Sequence, residues 1–119
     1  MKRIASLVAV LAVAAVSVFT VVAYAGQNHA TATTITVKAT EFKFTLSKKS
    51  APHGKVTFKV TNKGHVKHDF KINGKKTPLI SPGKSATLSV TLKKGKKYTY
   101  ICTVPGHAAA GMKGTFKAT

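Results

Sequence analysis

From residue 33 onward, apolar and polar positions alternate with a period of two, the pattern of half-buried strands. The segments "TITVKA" (34–39) and "EFKFTLS" (41–47) begin the series, and "KVTFKVTN" (55–62) places Val56, Phe58 and Val60 on one face. In "KHDFKIN" (67–73), His68, Phe70 and Ile72 alternate with Lys67, Asp69 and Lys71. "SATLSVTL" (85–92), "KKYTYIC" (96–102) and "KGTFKAT" (113–119) complete the set. Turn-forming clusters separate them: "APHG", "NKG", "NGKK", "SPGK" and "KKGKK". Short strands at this spacing predict an antiparallel-rich β-sandwich or barrel, and the pattern leaves residues 74–84 undecided, with room for a short irregular excursion.

The N-terminus follows another rule. Lys2 and Arg3 precede an apolar run from Ile4 to Val22, and Ala23-Tyr24-Ala25 offers small residues on either side of a cleavage position. This is the layout of an export signal over residues 1–25, and the run is also long enough to serve as an uncleaved N-terminal anchor. Residues 26–32 read as a flexible lead-in, and 33–119 as one domain lying outside the cytoplasm: periplasmic, secreted or anchored at the membrane. A domain of this size buries roughly 60–70% of its unfolded surface, so it needs no covalent staple.

Charge narrows the choice of partners. The chain has 20 Lys+Arg against 2 Asp+Glu. Once Lys2 and Arg3 are set aside, every cation is a lysine and the only acids are Glu41 and Asp69. Nucleic acid is the usual partner of such a balance, but export and the absence of arginine beyond the signal argue against it. The lysines are spread along the strands. They predict a solvated positive surface that attracts acidic proteins, or an anionic membrane or cell wall, through a long-range field. A monomer is the expected state.

The candidate chemistry lies in "ICTVPGHAAAGM" (101–112), which holds the chain's one Cys, then His107, then Met112, bent by Pro105-Gly106. Cys102 shares strand parity with Tyr98 and Tyr100, so its sulfur should face inward at the rim. A lone Cys in an exported chain is a free thiol, an intermolecular bridge or a ligand, and here two further ligand types stand close by. Thiolate, imidazole and thioether together suit copper, whereas zinc gains little from a thioether. A His₂Cys plane with a weak axial Met is the blue-copper arrangement, and it needs one more histidine.

"YTYICTVPGHAAAGMKGTF" resembles the C-terminal ligand loop of the cupredoxins, the small blue copper proteins of the azurin, plastocyanin and auracyanin kind. "KGHVKHDFKI" is similar to the segment that carries their first ligand. The resemblance implies a Greek-key β-sandwich of about seven to eight strands, with no substantial helix after the signal. It also implies one copper ion, cycling between Cu(I) and Cu(II), held by His68, Cys102, His107 and Met112, and one-electron transport in place of enzymatic turnover. An extracytoplasmic copper carrier, or a lysine-rich surface-binding module on the same fold, are the competing roles. Alternation also selects His68 over His65, because His68 shares parity with Phe70 and Ile72 while His65 should face water.

Two features depart from the family pattern. The gap between His107 and Met112 is one residue longer than in azurin, and Asp69 stands where many relatives have Asn. Ionised, Asp69 only accepts hydrogen bonds. It either takes one from Thr103 and joins the two ligand segments, or it is an ordinary rim carboxylate paired with lysine. His53, in a turn, is expected to be solvated. A small apolar patch of Val104, Pro105, Gly106 and Ala108 to Ala110 is expected around a surface-breaking His107.

Overall fold

The computed structural model describes residues 32–119, and the signal-like segment and most of the lead-in lie outside it. Nine strands follow in order: β1 (Thr33–Thr40), β2 (Lys43–Leu46), β3 (Ser50–Ala51), β4 (Gly54–Asn62), β5 (Lys71–Ile72), β6 (Lys75–Lys76), β7 (Ser85–Leu92), β8 (Lys97–Ile101) and β9 (Lys113–Ala118). They form a four-stranded sheet, β2-β1-β4-β7, and a five-stranded sheet, β3-β9-β8-β5-β6. The chain passes repeatedly between the two sheets, so distant segments become neighbours. The result is the all-β sandwich with crossed connections that the sequence implied. Most pairs are antiparallel, but β1–β4 and β3–β9 are parallel. No helix of the described residues is long and apolar enough to cross a membrane.

Alternation decides what faces inward. Ile35, Val37 and Ala39 of β1 and Val56, Phe58 and Val60 of β4 are fully buried, and Phe70, Ile72, Tyr98, Tyr100 and Phe116 meet them from the other sheet. Phe44, Phe58, Phe70, Tyr100 and Phe116 form a connected aromatic layer with ring centroids 5.1–5.9 Å apart, mostly edge to face. Each such side chain contributes roughly 1.5–3 kcal/mol through burial. This layer also sets the height of the site. Tyr100 is two residues before Cys102 at the end of β8, so Cys102 stands one pleat above the aromatic floor, and Phe70 joins that floor two residues after His68.

Two expectations need correction. The segment 67–73 is not one alternating strand: only Lys71–Ile72 pairs as a strand, and His68 makes an isolated bridge to Ile80. Asp69 is therefore buried beside His68 and Phe70 instead of facing water. The two-residue β3 and β6 raise the strand number above seven to eight, since pairs this short carry no periodic signal. Residues 74–84 are ordered by pairing back on the ligand segment. Asn73 and Gly74, both at positive φ (51° and 77°), make the tight turn between β5 and β6. Thr77 N–H donates to Phe70 O at 3.0 Å, and Phe70 N–H to Thr77 Oγ1 at 3.1 Å. Ile80 and His68 then exchange backbone bonds of 2.7 and 3.2 Å.

His53 is exposed as expected, but its Nδ1 lies 2.9 Å from Thr119 O and its backbone N–H donates to the same oxygen. At the other end of the sandwich, fully buried Asn62 closes the turn that delivers His68. Its Nδ2 donates to Val66 O and Ile80 O at 2.8 Å each, and its Oδ1 accepts from Gly64 N–H at 2.8 Å. Asn62→Ala would take this partner from Val66 O and Gly64 N–H and leave Ile80 O with the His68 N–H alone, and an unmet polar group costs about 1–3 kcal/mol when buried. Urea denaturation should show a loss of about 1–3 kcal/mol. A loss within error would mean that water replaces the amide.

Candidate metal centre

Three segments carry the site. The loop after β4 supplies His68, the residue following β8 is Cys102, and the turns between β8 and β9 supply His107. That last loop is closed on itself: Cys102 N–H donates to Met112 O at 3.0 Å, and Met112 N–H to His107 O at 3.1 Å. Further turn bonds run from His107 N–H to Val104 O and from Ala110 N–H to Gly106 O.

His68 Nδ1 lies 3.2 Å from His107 Nδ1, and Cys102 Sγ lies 4.0 and 3.6 Å from these two nitrogens. The point equidistant from the three atoms is about 2.1 Å from each, within a few tenths of an ångström of ordinary metal–imidazole and metal–thiolate bonds. Neither Nδ1 has another polar partner among the described residues. Two imidazole nitrogens and a sulfur converging on one point, in a pocket where His68 and Cys102 are buried, fit a soft-to-borderline cation. Met112 is also fully buried, and its backbone ties it to both Cys102 and His107. His65, by contrast, is outside the cluster and solvent-exposed as expected, although residues 65–67 are all exposed in a bend with no alternation.

Hydrogen bonds set the thiol's character. Burial raises the Cys102 pKa above its ordinary value, backbone N–H groups of Asp69 and Val104 offset part of the rise, and the Asp69 carboxylate adds to it. A bound cation favours the thiolate outright. Asp69 does more than this. One of its oxygens accepts from Thr103 N–H at 2.6 Å, and the other accepts from the Thr103 hydroxyl. The aspartate after one ligand thus grips the residue after another. Among the described residues no lysine pairs with it, so the rim-carboxylate reading is set aside.

Sequence reasoning missed Glu41. One of its carboxylate oxygens, Oε1, lies 3.0 Å from His68 Nε2 and accepts from the backbone N–H groups of His65 and Val66 at 2.8 and 3.0 Å. The available signal was compositional: Glu41 is one of only two acids in the chain, and both stand at the site. The next residue, Phe42, packs edge-on against His107, with centroids 5.0 Å apart.

Comparison with known proteins agrees with this geometry. Residues 19–119 match the profile of copper binding proteins of the plastocyanin/azurin family. The chain belongs to that family, a copper-binding cupredoxin. Auracyanin-B of Chloroflexus aurantiacus is 42% identical over 43 residues, covering 36% of this chain and 18% of that protein. The copper-resistant cuproprotein CopI of Pseudomonas aeruginosa is 47% identical over 36 residues, covering 30% of this chain and 20% of that one. The chain thus aligns with about a fifth of each curated relative. Among solved structures, reduced auracyanin from Roseiflexus castenholzii superposes with a TM-score of 0.64 at 23% identity, covering 73% of this chain and 97% of the other. An azurin from Methylomonas sp. strain J gives 0.58 at 20%, covering 73% and 98%. At such identities the likeness is one of fold.

The Glu41 environment generates an acid prediction. Its N–H donors, led by that of His65, lower its pKa from 4.5 to about 2. A carboxylate depressed on folding contributes stability that is complete above about pH 4.5 and is lost as pH falls toward 2. Denaturation of the copper-free protein should show that slope, and Glu41→Gln should flatten it. An identical slope in the variant would contradict the assignment.

Proposed function

We propose that the chain is an exported one-electron carrier whose type 1 copper is held by His68, Cys102 and His107, with Met112 as the weak axial donor. The observation that carries this reading is the frame around the three converging ligand atoms. His68 is pinned by Ile80 and Glu41, Cys102 by Met112 and the Asp69–Thr103 pair, and His107 by its turn and Phe42. Bound copper supplies a Cu(II)/Cu(I) couple, and a frame held from this many sides keeps the ligand positions nearly fixed in both states. Export is supported by the signal-like residues 1–25.

Docking follows from the surface. His107 turns its Nδ1 inward, so its outer edge meets the part-exposed loop of Val104 to Ala110. The three exposed large apolar residues among those described, Phe42, Val66 and Leu79, all belong to segments that hold the histidines. Of these, Phe42 packs against His107 and extends the patch expected from the loop alone. Every lysine of residues 32–119 is exposed, and no lysine–carboxylate pair neutralises any of them. Lys71 faces Lys76 and Lys97 faces Lys117 across strands, like-charge pairings that cost stability. Such a field would draw in an acidic redox protein, or an anionic membrane or wall, and brief apolar contact near His107 would follow.

A copper carrier is the second reading, favoured by the likeness to a protein named for copper resistance. The burial of His68 and Cys102 weighs against the ready metal exchange it would need. Two experiments decide. With Cu(II), the protein should show an intense visible thiolate-to-copper band and a narrow EPR hyperfine splitting. Cys102→Ser should lose the band and keep the β fold. A colourless wild type that binds only Cu(I) would favour the copper carrier. Electron exchange with an acidic redox protein should slow as salt rises, since the screening length is about 8 Å at physiological ionic strength. A rate indifferent to salt would assign the lysines to surface retention.

A further inference from the structure

The residues that touch the ligand atoms do not account for how His68 is aimed. Its ring is fully buried, and an imidazole offers two nitrogens to a metal. In this site Nδ1 points at Cys102 and His107, while Nε2 points at Glu41 Oε1. An ionised carboxylate can only accept, so the bond requires the ring proton on Nε2 and leaves a lone pair on Nδ1. Carboxylate partners on the far nitrogen of a metal-binding histidine fix its tautomer and orientation and raise its basicity.

Glu41 is itself held firmly. The oxygen that meets His68 also accepts two backbone N–H groups from His65 and Val66, in the loop that leads to His68. Gly64, in the same loop, makes the space. A methyl group there would come within 2.8 Å of the Glu41 carboxyl carbon. Gly64 is not at positive φ, so its lack of a side chain answers to the carboxylate and not to backbone conformation. Because Glu41 and Phe42 are adjacent in the turn between β1 and β2, one turn of the four-stranded sheet reaches both histidines.

We propose that Glu41 is a positioning residue of the copper centre: it fixes the tautomer and orientation of His68, and its charge favours oxidised over reduced copper. The second half rests on the copper reading above; the first does not. A negative charge one imidazole away from the metal stabilises the higher cation charge, and it is delivered from a part-exposed carboxylate through a hydrogen bond to a fully buried ring.

Two measurements test this on the full chain. In copper-free protein, nitrogen-detected NMR should find the His68 ring proton on Nε2 and slow to exchange. Glu41→Gln keeps an oxygen acceptor and should retain that proton, while Glu41→Ala should release it to exchange or to the other nitrogen. Gly64→Ala, which displaces the carboxylate, should match Glu41→Ala. With copper bound, Glu41→Gln should keep the visible band and shift the potential to more positive values. A ring proton unchanged in Glu41→Ala, or a potential unmoved or lowered in Glu41→Gln, overturns the proposal. A lower Tm with both readouts unmoved does so as well, because it marks Glu41 as a turn clamp only. Where Glu41→Ala does not fold, Glu41→Gln carries the test. A wild type without a blue band would overturn the carrier reading, and the ring-proton measurement would still decide whether Glu41 positions His68.

Discussion

The site depends on the grip of Asp69 on Thr103. His68 and Cys102 come from chain segments 34 residues apart, and each is followed by one member of this pair. A buried carboxylate is costly unless its oxygens are met, and here a backbone N–H and a hydroxyl from one residue meet both. Separating the two ligand segments would leave that charge without partners. The pair therefore fixes how far apart the segments sit. The aromatic layer beneath fixes their height, and the closed loop from Cys102 to Met112 brings His107 to the same point.

Electrostatics divides the molecule in two. Both acids stand within reach of ligand residues and have their hydrogen bonds satisfied there, while the lysines occupy the exposed surface. Negative charge is thus confined to the metal end, where it favours a bound cation, and everywhere else the field is positive. The two populations act over different ranges. Glu41 and Asp69 act through short-range hydrogen bonds to the ligand segments, and the lysines act collectively through solvent, where salt screens them.

Much of this was legible in the sequence because strand parity and ligand chemistry reinforce each other. The alternation that put Val56, Phe58 and Val60 in the core is realised in β4, and Tyr98 and Tyr100 predicted the inward sulfur of Cys102. His68 does lie inward and His65 outward, but in a segment without strand alternation, where the loop and the Ile80 bridge place them. Parity failed at Asp69, where the backbone leaves the strand and both neighbours turn inward, although the chemistry of Thr103 still suggested its partner. Glu41 was not legible. Its contacts are with residues 24 to 27 positions away, across a turn whose path no period describes. Gly64 had an ordinary reading as a turn residue, and only the carboxylate filling its side-chain space shows another. β3 and β6 were missed for a simpler reason: two residues make no pattern.

The central claim is that His68, Cys102 and His107 hold one copper ion in a frame that changes little with oxidation state. X-ray absorption at the copper edge tests it most directly, on the loaded protein in both oxidation states. The account predicts two imidazole nitrogens and one short sulfur contact in each state, with bond lengths that barely move on reduction. A copper shell without the short sulfur contact, or one that gains or loses a ligand on reduction, would contradict it.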